Sequence, residues 1–467
     1  MAFSTMIEEG PPPYFLGRLA SLPYFYGIAT NPLVATTRLH RRHGRFVVLR
    51  YPAGRQSHSG ILPCITDVDL YRSVSSSVET WRPANVAHRG IRGHASNRLA
   101  AGMTRMRGAR LAHYRRLLMP FLSRRSVREK SGPLTEIAER HVASWPTEGV
   151  IDLLPLLGRL MQDFSVTLLF DDDRIDALPV AELVSRQWAA GWMPPGRDYF
   201  AWLFAADRQE RAIQAWADKT RGALNPHHFL STIVNTPDET GGQTRRDVIG
   251  GLMSFVFGAA FETSQSAAAW ALLLLAQHPA TARDLADEIC GALRGGGADL
   301  NLIGELPLLS AVVKETMRLF PPVPIHFRKS IAPTALGALS IEPGLRVLSN
   351  VYLINRDPDV YPQPARFIPT RWKGLDPSPY EYPVFGSGPR MCPGFSMGED
   401  MVKLCVASVV SRYVITVDDD CRIDYTSKIT LMPYPRLPVM LRKRDAAMPP
   451  VSRIAGRIHE LLELAPG

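Results

Sequence analysis

Ten consecutive residues, Phe385-Gly386-Ser387-Gly388-Pro389-Arg390-Met391-Cys392-Pro393-Gly394, set one cysteine in a loop suited to holding a thiolate. Gly386, Gly388 and Gly394 let the main chain approach whatever Cys392 binds, so that backbone N–H groups can point at its sulfur. Pro389 and Pro393 fix φ on either side and exclude a continuing helix or strand. Arg390 adds a fork of donors that suits a carboxylate. A lone cysteine beside a Pro/Gly turn is ordinarily a small buried hydrophobe. The combination of Phe385, Gly388, Arg390, Cys392 and Gly394 at fixed offsets argues against that reading.

A cysteine held this way needs a framework, and the clearest element is a helix expected from about Arg245 to Gln277. Thr244 and Asp247 have the spacing of a capping box, and His278-Pro279 supplies the stop. About 33 residues at 1.5 Å each reach roughly 50 Å, enough to cross a globule. The stretch is apolar on nearly every face except at Glu262-Thr263-Ser264-Gln265-Ser266. Val248 to Ala276 could be taken for a membrane span, but a glutamate and four polar neighbours at mid-height are costly in lipid, so a buried helix with a polar step explains the pattern better. Apolar spacing is mostly helical from about Leu111 to Trp270. Arg45 to Tyr51 and Ile61 to Ile65 alternate as strands, a small sheet at about 45–65. Leu339 to Val351 reads as a hairpin turning at Pro343-Gly344. Glu315 and Arg318 share a helix face. The expected organisation is one domain over 1–443, mainly α with small β-sheets, followed by a C-terminal extension over 444–467 in which Val451 to Leu464 reads as a short amphipathic helix.

Composition excludes several classes. The 467 residues are 46% apolar, with no long Gly/Ser, Pro-rich or charged linker and no internal repeat. Five cysteines without a Cys-x-x-Cys pair argue against a disulfide framework or zinc site and favour a reducing, cytoplasmic compartment. The net charge of +10 suits acidic protein partners, anionic lipid or an anionic substrate. No nucleic-acid-binding motif accompanies it. The fairly apolar stretch from Tyr14 to Ala35 is interrupted by Arg18, Pro23, Asn31 and Pro32, so no transmembrane segment is expected there, although peripheral membrane association stays open.

The loop matches the cysteine-ligand segment of the cytochrome P450 family, Phe-x-x-Gly-x-Arg-x-Cys-x-Gly, at every fixed position. Further segments resemble that family in order. Ala259-Ala260-Phe261-Glu262-Thr263-Ser264 is similar to its oxygen-binding step, with Ala260 where Gly is more usual. Glu315 and Arg318 resemble its Glu-x-x-Arg element, and Pro364-Ala365-Arg366-Phe367 the later segment whose arginine joins that ion cluster, with Ala365 replacing the usual acid. Gly108 to Phe121 resembles the helix that contacts the haem from the other side. There Arg115 stands at the usual position, and Leu111 stands where an aromatic or histidine is expected, so that His113 or the preceding arginines would supply the contact.

The resemblance implies a cytochrome P450 fold, with haem b buried between the long helix and the cysteine loop. It implies Cys392 as the metal ligand, Arg390, Arg328, Arg115, Phe385 and Ala259 as haem contacts, and Thr263 and Glu262 as catalytic proton carriers. Glu315, Arg318 and Arg366 would form a structural ion cluster, while Val323, Ile325, Phe327, Leu431 and Met432 would face substrate. His326 invites a metal-ligand reading, but a hydrogen-bonding role suits a pocket-edge histidine better once Cys392 fills that position. The implied activity is a monooxygenase. Thiolate ligation favours O–O cleavage, and one oxygen atom enters an apolar substrate by hydroxylation or epoxidation. Because the sequence shows no flavin or nicotinamide module, electrons would come from a ferredoxin or flavodoxin with its NAD(P)H reductase, docking on a basic face near Cys392. A peroxygenase or rearranging enzyme would use the same loop, and a non-catalytic haem sensor is the alternative from another class; the acid-threonine step speaks against both. Seven arginines between Trp81 and Arg110 (82, 89, 92, 98, 105, 107 and 110) suggest a substrate carboxylate, as in a fatty acid or terpenoid acid, or else a solvated basic face.

Overall fold

In the computed structural model the described residues are 11–52, 60–84, 91–100, 102–171, 177, 179–184, 197–427, 430–444 and 451–463. Five helices matter most to the site: α1 (Gly108–Leu122), α2 (Leu153–Phe170), α3 (Arg246–Gln277), α4 (Pro307–Leu319) and α5 (Phe395–Val410). Helix α3 is the axis of the main core. It is buried along almost its whole length, from Val248 to Gln277, and packs against α2, α4 and α5. A run of alanines from 267 to 269 followed by Trp270 and four leucines gives it a strong helix former at most positions and an apolar surface all round, as a core helix requires.

The expected capping box is not formed. Arg245 is the N-cap and makes no side-chain cap bond, while Asp247 pairs with the Arg245 guanidinium at 3.0 Å. Thr244 is buried, with its hydroxyl 3.4 Å from that of Tyr114, so it cannot also reach the helix N–H groups. One helix, Leu153–Phe170, is long and apolar enough to cross a membrane among the described residues, and most of it is buried inside the protein.

The small-sheet expectation near the N-terminus is met and enlarged. Strands β1 (Tyr14–Phe15), β2 (Phe46–Arg50), β3 (Ile61–Ile65), β4 (Trp81–Pro83), β5 (Ile325–Ser330) and β6 (Arg346–Asn350) form one sheet in the order β1-β2-β3-β6-β5-β4. Cys64 lies opposite Leu348 in the parallel pair β3–β6, and Arg328 opposite Val347 in the antiparallel pair β5–β6. Chain segments more than 280 residues apart therefore share one surface. The hairpin expected over 339–351 is not one. Leu339–Ile341 pairs back with Thr334–Leu336, whereas β6 joins β5, because the turn at Pro343-Gly344 redirects the chain into the large sheet.

The C-terminal segment differs most from expectation. Residues 451–463 form a two-residue strand, Ile454–Ala455, paired with Cys421–Arg422, then a 3₁₀ turn at Arg457–Glu460. Ile454, Ile458, Leu461 and Leu462 are buried in the main core. The Leu461 carbonyl accepts from Tyr352 Oη (3.0 Å) and Arg356 Nη2 (3.1 Å). Gly456, at φ 105°, breaks the helical pattern, and the segment is held as an integral part of the domain.

Candidate functional site

The cysteine loop consists of two 3₁₀ turns, Pro383–Phe385 and Gly388–Arg390, and leads into α5. Gly386 (φ 70°) and Gly388 (φ 66°) adopt the left-handed conformation that an L side chain resists. A Cβ on Gly388 would also collide with the Ser75 backbone, so the loop lies directly on the helix Val68–Ser75. The Cys392 N–H donates to the Phe385 carbonyl at 2.7 Å and closes the loop. The Gly394 N–H points at the Cys392 sulfur, which lies just before the N-terminus of the 16-residue α5, where the helix dipole favours negative charge.

Burial is the largest influence on the Cys392 thiol and raises its pKa; the Gly394 N–H and the Arg115 charge lower it. The residue is nevertheless reachable by solvent. Both observations hold if the thiol faces a space inside the protein rather than its outer surface. Helix α3 packs against α5, the helix that Cys392 precedes. Ala259 and Thr263, one turn apart, are partly accessible midway along this mostly buried helix, as are Phe255, Glu262 and Gln265. Gly398 on α5 approaches Ser264, so the two elements meet beside the polar step.

Thr263 Oγ1 donates to the Ala259 carbonyl at 2.7 Å, the usual resting bond of a helical threonine. Glu262 leaves by a different face of the helix and accepts from Thr430 Oγ1 at 3.0 Å. Burial raises the Glu262 pKa, and the Thr430 hydroxyl partly offsets this. Thr430 carried no sequence signal, because it belongs to an irregular segment with no motif.

Several cations lie close together beside the loop. Arg328 on β5 is buried, and among the described residues its side chain reaches only the carbonyl of its neighbour Phe327, at 3.4 Å. Arg390 donates to the Met103 and Met106 carbonyls (3.3 and 2.7 Å), and Arg115 to the Met391 carbonyl (3.1 Å). Burial, then Arg328, Arg115 and Arg107, lower the Arg390 pKa to about 10. Among the described residues no carboxylate forms an ion pair with Arg328, Arg390 or Arg115, and Arg390 Nε and His113 Nε2 are buried without a partner. One buried and two half-buried like charges so close together call for an anion. A haem, with a metal for the thiol and two carboxylates for the cations, fits these residues.

The expected ion cluster is present with one change of member. Arg318 and Glu315 are fully buried and form a bidentate pair at 2.8 and 2.9 Å. The third charge is Arg371, whose Nε donates to Glu315 Oε1 at 3.0 Å. Arg366 contributes only its backbone carbonyl to Arg318 (3.1 Å), and its exposed side chain turns to Gln363. The Ile368 N–H and Trp372 Nε1 complete the carboxylate's partners. The Pro369-Thr370-Arg371-Trp372 turn, with its arginine beside a tryptophan, is the signal that identifies the right residue.

Two groups of expected substrate contacts also shift. Strand alternation puts Ile325 and Phe327 on the face opposite Arg328, where they pack with Tyr24, Phe25 and Ile28. Leu431 is fully buried in the core, and its carbonyl accepts from Ser266 and Trp270. Val323 and Met432 keep partial access. His326 stands on the Arg328 side, 3.2 Å from the Tyr71 hydroxyl, with its pKa pushed down to about 3 by burial and by Arg328; it is a neutral hydrogen-bonding group. Of the arginines between 81 and 110, Arg98 pairs with Glu210 and Arg110 lies beside Glu239. Arg82, Arg105 and Arg107 cluster with Arg346 and Lys329. Arg89 lies outside the described residues.

A thiol at a helix N-terminus, with Arg115 beside it and Arg328 and Arg390 nearby, none of the three in an ion pair among the described residues, suits a protein that carries an anionic, metal-bearing prosthetic group. Comparison with known proteins agrees. The family model described as Cytochrome P450 matches residues 199–439. A putative cytochrome P450 137 of Mycobacterium tuberculosis is 28% identical over 71% of this chain and 70% of its own length. Cytochrome P450 76C1 of Arabidopsis thaliana is 25% identical over 92% and 90%. The solved structure of retinoic acid bound cyanobacterial CYP120A1 superposes with a TM-score of 0.77 at 19% identity, covering 93% of this chain and 99% of that one, and so shares the fold. The chain belongs to the cytochrome P450 family. It is a haem-dependent oxidoreductase of the monooxygenase class, working with dioxygen, an apolar substrate and an electron-transfer partner.

Proposed function

We propose that Cys392 would hold the iron of a haem b, with Arg328, Arg115 and Arg390 available to its propionates and Ala259 among the residues beside it. The observation that carries this reading is the position of the Cys392 thiol. It lies beside the Gly394 N–H at the start of α5, surrounded by protein yet accessible, and close enough to Arg115 to feel its charge. Bound haem, its iron held by a thiolate, supplies the centre at which dioxygen is activated. The protein's part is to set the thiolate's basicity and to move protons. A coordinating cation reverses the raised thiol pKa by displacing the proton outright, and the Gly394 N–H and Arg115 then disperse the sulfur's charge.

Proton delivery falls to Glu262 and Thr263. A buried glutamate with a raised pKa keeps a proton available nearer neutral pH than a solvated one, and the Thr263 hydroxyl, now bonded to the Ala259 carbonyl, would be the group to pass it on. The accessible space beside Val323 and Met432 suits an apolar substrate that is hydroxylated or epoxidised. The cluster of Arg82, Arg105, Arg107, Arg346 and Lys329 supports an acidic group on that substrate, as in a fatty acid or terpenoid acid. CYP120A1, of the same fold, is described with retinoic acid, itself an apolar acid. Two electrons come from a ferredoxin or flavodoxin with its reductase. Exposed Arg116, Arg124 and Arg125, on and just after the helix that touches Met391, give an acidic donor a basic face.

The test is the carbon monoxide difference spectrum of the reduced protein beside that of Cys392→His. A red-shifted Soret band lost in the variant is the expected result. A band at the histidine-ligated position in both proteins removes Cys392 from the iron.

A further inference from the structure

Helix α3 places Glu262, Ser266 and Trp270 four residues apart on one face, and all three reach the same two-residue segment. Thr430 Oγ1 donates to Glu262 Oε1 at 3.0 Å. Ser266 Oγ and Trp270 Nε1 both donate to the Leu431 carbonyl, at 2.5 and 2.8 Å. From the other side the Leu431 N–H is tied to the Pro322 carbonyl at 2.9 Å. Thr430, Leu431, Ser266 and Trp270 are all buried. Leu431 is therefore held through both its N–H and its carbonyl, which fixes the chain next to the Thr430 hydroxyl. Among the described residues that hydroxyl alone hydrogen-bonds the Glu262 carboxyl, and no charged side chain contributes to that group's environment.

We propose that Thr430 is a positioning residue for proton delivery, holding the Glu262 carboxyl in a fixed orientation off the helix until Thr263 draws on it. The role rests on the proposed function of Glu262. Three features of the geometry support it. Glu262 and Thr263 leave the helix about 100° apart, so an unrestrained carboxyl has no reason to stay near the relay. A buried carboxyl without a cation or a second donor would search for partners, and a single hydroxyl on an immobile loop defines its rotamer. Met432, two residues after Thr430, is partly accessible, so the buried segment that orients the acid leads directly to a residue that is not sealed in the core.

The experiment uses the haem-loaded protein and its Thr430→Val, Thr430→Ser and Glu262→Gln variants. Infrared difference spectra at acid pH identify the Glu262 carboxyl as the C=O band missing in Glu262→Gln. With a plant-type ferredoxin and its reductase as donor, the fraction of electrons released as hydrogen peroxide is measured alongside. Thr430→Val should move the band to higher frequency, as a carbonyl that has lost its donor does, and should raise the peroxide fraction about threefold or more. Thr430→Ser should restore both, and Thr430→Val should add nothing in the Glu262→Gln background. An unmoved band in Thr430→Val overturns the proposal. So does an equal rise in peroxide when Glu262 is already glutamine, because the loop then acts without the acid. If Glu262→Gln itself leaves the peroxide fraction unchanged while the band still moves in Thr430→Val, the contact exists but Glu262 is not the proton carrier, and that reading fails together with the role built on it.

Discussion

Replacing Arg371 by methionine tests the ion cluster at the point where sequence and structure disagree. Arg371 gives Glu315 one charge-assisted bond, Nε to Oε1 at 3.0 Å, and also donates to the carbonyls of Pro362 (2.7 Å) and Gln363 (3.3 Å). The Arg371 side chain is 8% exposed and that of Glu315 fully buried, so solvent screens little. Removing one partner of a buried pair costs about 3–5 kcal/mol when the remaining charge is stranded. Here Glu315 keeps both bonds from Arg318, the Ile368 N–H and Trp372 Nε1, so the loss approaches that of one charged hydrogen bond, about 2–3 kcal/mol. Arg366→Met removes an exposed side chain bonded only to Gln363, and should fall within about 0.5 kcal/mol of the parent, since its carbonyl still serves Arg318. Urea unfolding followed by far-ultraviolet circular dichroism, run on both variants in parallel, measures the difference. Equal costs for the two, or a larger one for Arg366→Met, would refute the assignment of Arg371 to the cluster.

Three further outcomes follow from the geometry. Arg328→Met should act in opposite directions, making the apoprotein more resistant to urea by removing a buried unpaired cation, yet speeding haem loss to apomyoglobin about 10- to 100-fold, the equivalent of one charge-assisted bond. Gly388→Ala should cost upward of about 2 kcal/mol, combining the left-handed φ of 66° with a clash against the Ser75 backbone, and should lower haem content on purification. Asp400 on α5 has its pKa raised to about 6 by burial. An acid raised in the folded state is tolerated best below its ordinary pKa of 3.8 and penalises folding increasingly as pH climbs to about 6. Asp400→Asn should therefore be more stable than the parent at pH 7, by up to about 3 kcal/mol, with the gap closing below pH 4; a constant gap across that range would contradict the linkage.

What was legible in the sequence was whatever local covalent chemistry dictates. The Cys392 loop could be read because Gly386 and Gly388 take positive φ and Gly394 turns its N–H toward the sulfur, demands that few residue types meet. Helix α3 could be read because 32 residues without an internal break have few alternatives. Choices made by tertiary contact were not legible. Arg366 and Arg371 both lie within reach of Glu315 in sequence terms, and only the turn at Pro369–Lys373 decides which one faces inward. The sequence places Ile325 and Phe327 with Arg328 in one segment, and only the period of two in β5 separates their face from that of His326 and Arg328. The amphipathic pattern after Val451 is real, but a glycine at φ 105° and pairing with Cys421–Arg422 turn it into strand and 3₁₀ turn.

The docked C-terminal segment has a consequence for how the chain is made. Arg356 is buried against the Tyr352 ring, 3.6 Å from its centroid, and two of its hydrogen bonds go to the carbonyls of Leu319 and Leu461. The second acceptor emerges from the ribosome more than 100 residues after the arginine that needs it. Until translation passes Leu462 and that stretch clears the exit tunnel, the guanidinium and the Tyr352 hydroxyl must stay hydrated, and the core around them cannot close. Cofactor capture by a nascent chain is thus delayed until Leu461 has emerged, and a bulky group placed directly after Glu463 would press on the segment that completes this part of the core.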